Sequence, residues 1–183
     1  MNSKKTVIRF FTIADYEEEE IWLRNQHKNG WKLSKMIPPC FFLFEKCIPE
    51  DVTYRLDYKN NGETGSYFQI FKDYGWEYIG RCFGWLYFRK PSSQMDSEQD
   101  GEIFSDNESR ISLIDHVLKT RLAPLLVLFL CCVLPNLFRS MDASDSLSTV
   151  ITVFFAVMTL LYLYLIIYCG LKLRTLRRKY TND

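Results

Sequence analysis

At 183 residues, with 48% hydrophobic and 16% aromatic content, the chain has room for one domain with a real core and something more. Its net charge of +1 conceals a partition: residues 1–90 carry 14 Lys/Arg against 12 Asp/Glu, residues 91–118 carry 1 against 7, and residues 119–183 carry 8 against 3. A first region that is only +2, its basic residues scattered, beside an acidic stretch that repels phosphate, argues against direct nucleic-acid binding.

The chain opens on "TVIRFFTI", a strand by its β-branched and aromatic content. Asp15 with Glu18 three residues on predicts a capped helix start, and the run Glu17 to Glu20 suits the positive end of the helix dipole. This helix is expected to bury Trp22, Leu23 and the aliphatic side of Gln26 and to stop at Gly30, where a left-handed cap is cheapest. "WKLSKMI" and "FFLFEKC" follow as strands separated by Pro38 and Pro39. The same order then returns. "VTYRLDYK" places Tyr54, Leu56 and Tyr58 on one face and Arg55 and Asp57 on the other. A helix with Ser66 and Gln69 as a capping box carries Phe68 and Phe71 and ends at Gly75, before the strands "WEYIGRCF" and "WLYFRK". Setting Gly30 on Gly75 aligns Leu23 with Phe68, Trp31 with Trp76 and Leu33 with Tyr78, at a spacing of 45 residues that is expected to hold for the opening strands too.

Residues 1–90 therefore read as an internal repeat, a duplicated β-α-β-β unit of α+β class forming a largely antiparallel sheet with two helices on one face. The other face needs a cover: water, a second protomer, a ligand or a protein. Trp31, Trp76 and Trp85 are candidates for an aromatic binding surface there, with Arg55 and Asp57 as a polar cluster; the alternative is that the aromatics fill the core. Asp73, Glu77 and Arg81 form a second cluster, read as solvated ion pairs. Only His27 and His116 are present, and no nucleophile elbow, phosphate-binding glycine loop or metal-helix motif appears, so neither catalytic residues nor a cofactor are expected. Cys40, Cys47 and Cys82, even with His27, lack a C-x-x-C knuckle, which favours buried thiols over zinc, and no disulfide framework is expected.

Residues 91–121 combine an acidic linker with an amphipathic lead-in helix, for which Ser105 and Glu108 offer a capping box and Ile111, Ile114, Val117 and Leu118 an apolar face. Ile103 and Phe104, apolar in a solvated run, are expected to dock on the sheet or engage a partner. Residues 122–138 and 150–171 are uncharged, and at about 1.5 Å per residue the second run crosses a hydrocarbon core of roughly 30 Å. Both read as transmembrane helices joined by a short loop, 139–149. The basic tail 172–183, with Lys119 and Arg121 ahead of the first span, places both termini in the cytoplasm, and the brief apolar N-terminus followed by "DYEEEE" does not read as a signal peptide. The expected setting is a multi-pass protein of the cell membrane, its tail facing anionic lipid headgroups.

The series "FTIADYEEEEIWL", "NGWKL", "YRLDY", "FKDYGWEYIG", "WLYFRK" and "EIFSDNESR" resembles the bacterial domain-of-unknown-function 2812 family, over residues 6–118. The resemblance implies C-terminal transmembrane segments and gene neighbours encoding PadR-type transcriptional repressors; it brings no catalytic residue with it. The expectation is a non-enzymatic, membrane-anchored regulatory or sensor protein whose cytosolic domain binds a protein partner, the PadR-type repressor being the one implied. The alternative is an accessory subunit of a membrane transporter or envelope complex, with Pro124, Pro135 and the Cys131–Cys132 pair packing against partner helices. Ligand binding near Trp31, Trp76 and Trp85, or a homo-oligomer closing the open sheet face, is compatible with either.

Overall fold

Periodicity and glycine placement become elements in the expected order. The computed structural model describes residues 3–59, 65–103, 107–141 and 146–182 and divides into two units, Met1–Ser109 and Arg110–Asp183. The first contains β1 (Lys4–Ile8), α1 (Tyr16–Lys28), β2 (Trp31–Ile37), β3 (Phe41–Lys46), β4 (Val52–Tyr58), α2 (Gly65–Asp73), β5 (Glu77–Cys82) and β6 (Trp85–Pro91). Asp15 stands at the N-cap of α1, but its carboxylate turns back to accept from the backbone N–H and hydroxyl of Thr12, at 2.7 and 2.6 Å, fixing the entry turn in place of a capping box with Glu18. Both helices stop on glycine in the left-handed region, Gly30 at φ 81° and Gly75 at φ 80°. After α2 the Trp76 N–H reaches the Phe71 carbonyl at 2.9 Å and the Gly75 N–H that of Lys72 at 3.0 Å, the paired bonds of a Schellman cap.

The strands pair antiparallel as two three-stranded sheets, β1-β3-β2 and β4-β6-β5, with β2 running alongside β5. The expected single hydrogen-bonded sheet is thus two ladders. Each has the same strand order and a bulge at the same place, between Leu33 and Lys35 in β2 and between Tyr78 and Gly80 in β5. The opening strands depart from the spacing of 45: Ile8 pairs with Phe41 and Tyr58 with Trp85, so β1 and β4 correspond at a spacing of 50. The difference is absorbed mainly in the helices, since α1 has 13 residues and α2 has 9.

The helices do not share one face. Tyr67 of α2 hydrogen-bonds Asp57, and Phe71 stacks on Phe88 at 4.5 Å. Tyr16, Glu19 and His27 of α1 instead meet Trp85, Tyr87 and Tyr54. In β4 and β6 these two sets alternate, so α1 and α2 lie on opposite faces of the second sheet. α1 also covers the first sheet, where Trp22 sits edge-on to Phe42 at 4.8 Å and to Phe44 at 5.6 Å. Clamped between two sheets, α1 buries Leu23 completely, worth about 1.5–3 kcal/mol for a side chain of that size. β4, covered on both faces, is buried along nearly its whole length.

The acidic stretch after β6 is not a free linker. Short 3-10 turns at Ser92–Gln94 and Glu98–Gly101 fold it along the second sheet, and Ile103 packs on the Trp76, Leu86 and Phe88 cluster beneath α2. The Ser92 N–H donates to the Asp51 carbonyl at 2.9 Å.

The second unit is helical. α3 (Asn107–Val117) runs through a wide π turn, Leu118–Leu122, into α4 (Ala123–Leu128), a second π turn, Phe129–Val133, and α5 (Leu134–Met141). Each wide turn lies just ahead of a proline. Pro124 and Pro135 have no N–H to give and crowd the carbonyl four residues back, those of Thr120 and Cys131, and the π turns relieve that crowding without ending the helix. The Asn136 side-chain amide donates to the Cys132 carbonyl at 2.7 Å. α6 (Ser146–Asn182) packs along this run, with Phe129 stacked on Tyr162 at 6.1 Å and Asp115 paired with Arg177 at 3.3 Å. Both helical runs extend past the apolar stretches 122–138 and 150–171.

Candidate functional site

α1 begins "YEEEEIWL", and at 100° per residue four consecutive glutamates cannot all face water on a helix held between two sheets. Glu19 and Glu20 are the two turned inward, 6% and 8% exposed. Buried charge must be matched or neutralised, and the second sheet supplies the partners. β4 is the edge of its ladder, leaving outward backbone groups unpaired. Glu20 closes that edge: one carboxylate oxygen accepts the Leu56 N–H at 2.7 Å and the other the Arg55 guanidinium at 3.1 Å. Arg55 also forks onto Glu102 at 2.8 and 3.2 Å, so one guanidinium ties α1, the sheet edge and the segment after β6 together.

Two further links complete the network. Glu19 accepts the Tyr87 hydroxyl at 2.7 Å. The Tyr54 hydroxyl receives the Leu33 N–H at 3.3 Å and lies 2.9 Å from His27 Nδ1, joining α1, β2 and β4. Arg89 grips Glu77 at 2.6 and 2.7 Å and donates to the Leu33 carbonyl at 3.0 Å. At the far end of α1, Asp51 receives Arg24 at 2.6 and 2.8 Å and Lys28 at 3.1 Å.

Burial sets the protonation of these groups. It lifts Glu20 to about 8, against the pull of Arg55 and the Leu56 N–H, and Glu19 to about 7, against the Tyr87 bond. His27 falls to about 4 because burial and nearby Arg89 disfavour its cation. The neutral ring shares a single proton with the Tyr54 hydroxyl across the Nδ1 contact. Asp51 goes the other way, to about 2, held ionised by Arg24 and Lys28. The network can take up and release protons close to neutrality at a seam between elements.

The residues singled out from the sequence are dispersed. Trp31 lies at the start of β2, with the Lys5 ammonium 4.4 Å above its ring. Trp76 belongs to the α2 side of the second sheet, whereas Trp85 stacks on Tyr16 at 5.4 Å on the α1 side. The three tryptophans therefore do not line one surface, and Trp76 and Trp85 are core. Arg55 and Asp57 share a face but serve different partners, Glu20 and Glu102 for the one, Tyr67 and the Tyr58 N–H for the other. In the second predicted cluster, Asp73 accepts from Gln69, Glu77 pairs with Arg89 and Arg81 donates to the Lys59 carbonyl at 2.5 Å. Ile103 docks on the sheet; Phe104 lies outside the described residues, as does Ser105 of the predicted capping box. As site residues Glu19, Glu20, Tyr87 and Arg89 escaped the sequence reading, His27 entered it only as a disfavoured zinc ligand and Tyr54 only as a strand-face residue. Their signal was present, because Glu19, Leu23 and His27 fall on one stripe of α1, and polar residues sharing a stripe with a buried leucine need buried partners.

Two helical stretches, Asn107–Met141 and Leu147–Thr181, are long and apolar enough to cross a membrane, and none of the most apolar window of the second is buried within the molecule. No curated protein and no solved structure matches the chain. A family profile described as "Protein of unknown function (DUF2812)" matches residues 15–126, from the N-cap of α1 into α4. That match takes in more than half of the 183 residues, and the chain belongs to the DUF2812 family.

Proposed function

We propose that this is a non-enzymatic regulatory protein of the cell membrane, anchored by a two-helix hairpin with both termini in the cytoplasm, whose folded N-terminal domain binds a protein partner. The observation that carries the reading is the contrast between the two units. In the first, the strongest candidates for chemistry are spent on holding elements together: Glu20 on a sheet edge, His27 on Tyr54, Arg55 between two carboxylates. In the second, a long apolar surface is left uncovered, including Val153, Val157, Leu160 and Ile167, all more than half exposed. Lipid is the solvent that makes such a surface stable. The basic residues Lys172, Arg174, Arg177, Arg178 and Lys179 after the second apolar stretch favour a cytoplasmic tail. The matching strand order, bulges and glycine caps support reading the N-terminal domain as two copies of one unit.

The partner class comes from the family resemblance: a PadR-type transcriptional repressor, held at or released from the membrane. The test is binding of that repressor to the purified full-length protein in lipid nanodiscs. Affinity above that of an unrelated winged-helix protein is the expected outcome; equal affinity for both removes the regulatory reading. A second reading, accessory subunit of a membrane complex, is favoured by one feature, the widened and uncovered turn carrying Cys131 and Cys132 ahead of Pro135. Mild solubilisation that keeps a stoichiometric permease attached would select it.

A further inference from the structure

One end of the first sheet is apolar and open to solvent. Ile8, Phe41 and Ile37 form a single row across β1, β3 and β2, 62%, 36% and 41% exposed, on the face opposite Trp22 and α1. Phe10, 77% exposed, continues the strip beyond β1, and exposed Pro38 and Pro39 turn the chain between β2 and β3 beside it. The charge around it has one sign. Residues 3–14 and 31–44 contain Lys4, Lys5, Arg9, Lys32 and Lys35 and no Asp or Glu. Lys5 turns inward to Gln26 and Trp31, and Arg9 lies over the Phe11 and Trp22 rings on the α1 side, which leaves Lys4, Lys32 and Lys35 on the open side. The first carboxylate on this face is Glu45, in the row farthest from the apolar end, flanked by Lys4 and Lys32.

We propose that this corner is a docking tip for an anionic lipid surface, entered end-on by the β2–β3 turn. The claim rests on the membrane reading above, because a hairpin in the bilayer keeps the domain beside lipid at high effective concentration. The dimensions suit it. Residues two apart on a strand are separated by about 7 Å, so with Ile8, Phe41, Ile37 and Phe10 sunk by roughly 5–10 Å, Lys35 comes level with the phosphates. The row holding Lys4, Glu45 and Lys32 stays above them. A protein partner is the weaker fit, since Lys35 beside isoleucine, phenylalanine and proline, with the one carboxylate of this face held back against Lys4, matches a surface of diffuse negative charge over hydrocarbon.

The test uses the full-length protein in nanodiscs of phosphatidylcholine alone and of phosphatidylcholine mixed with phosphatidylglycerol, reading backbone hydrogen exchange across residues 6–13 and 36–43. Exchange about tenfold slower in the anionic discs, restored by high salt and abolished by Phe10→Asp with Ile37→Asp, is the expected result. Both substituted side chains are exposed, and unchanged exchange in β4 and β6 confirms that the variant is folded. Equal exchange in the two lipids by protein that resists carbonate extraction overturns the docking tip and leaves the spanning hairpin intact. Protein that carbonate strips but that floats only with phosphatidylglycerol vesicles keeps the tip and removes the hairpin. Protection independent of lipid and rising with protein concentration means that a second copy covers the strip, and overturns the proposal.

Discussion

Glu20 is the residue on which the first unit turns, because it exchanges water for one N–H of a sheet edge and one guanidinium. Its folded pKa of about 8, and that of about 7 for Glu19, lie above the usual carboxylate value, so the folded state holds protons that the unfolded chain releases. The stability these groups contribute is complete below about pH 4.5 and is lost as pH rises through 7 and 8. His27 has the opposite sign: depressed to about 4, it opposes folding as pH falls from 6.5 towards 4. At about 1.4 kcal/mol per pKa unit, raising pH from 6 to 8.5 is expected to cost on the order of 3 kcal/mol, seen as a falling midpoint in chemical denaturation. Glu20→Gln, which cannot ionise, flattens that slope. An unchanged slope in the variant would mean that Glu20 is already ionised against Arg55 at pH 6. The glycine caps give a second residue-scale prediction. Gly30→Ala meets the left-handed penalty of about 1–2 kcal/mol and places a methyl group 3.1 Å from the Cys47 carbonyl oxygen, whereas Gly75→Ala meets the penalty with only the flexible Lys90 and Gln94 side chains nearby, at 3.4 and 3.6 Å. Gly30→Ala is therefore the more destabilising of the two, and thermal denaturation of the pair checks the order.

Between elements, the segment after β6 acts as a strap. It is polar enough to read as a linker, yet Ile103 seats on Trp76, Leu86 and Phe88, and Glu102 supplies two of the bonds to Arg55. Ile103→Asp removes the apolar anchor and adds a charge beside Glu102. Faster hydrogen exchange and early proteolytic cleavage over residues 91–103 are expected, with β6 still protected; cleavage no faster than in the parent would show that the ion pair alone holds the strap. Local signals made most of these elements legible. Helix stops followed glycine, strands followed β-branched and aromatic runs, and the alternation in "VTYRLDYK" placed Tyr54 and Leu56 opposite Arg55 and Asp57 in the structure as in the sequence. Sheet membership and helix side were not legible, because they depend on where α1 is clamped, and α1 carries apolar residues for one sheet and polar residues for the other. The stripe holding Glu19, Leu23 and His27 signals buried polar groups but not their partners, the Tyr87 and Tyr54 hydroxyls, which come from distant strands.

For the whole molecule, the decisive question is what covers the apolar helices. A core helix of a water-soluble protein hides its most apolar side chains, but Phe154, Val157, Leu160, Tyr164 and Ile167 are all more than half exposed along α6. At one end the two runs meet through polar groups, Arg177 with Asp115 and the Arg110 guanidinium donating to the Tyr180 hydroxyl at 3.1 Å. Farther along, contact is aromatic, as between Phe129 and Tyr162. This distribution suits a hairpin whose charged end lies in the headgroup region and whose remainder lies in hydrocarbon, where an unpaired charge costs several kcal/mol. Resistance to carbonate extraction is therefore expected, together with cytoplasmic-type signals from reporters fused at either terminus and an extracytoplasmic signal from one inserted within residues 142–145. Replacing Arg174, Arg177, Arg178 and Lys179 by neutral residues weakens the orientation bias and yields a mixed population. Because Arg177 pairs with Asp115 at a surface-exposed site, its loss alone should cost at most about 1 kcal/mol. An orientation change from the fourfold variant that Arg177→Gln does not reproduce would then assign the effect to the tail's charge. Identical loss of orientation in the single variant would assign it to that one ion pair.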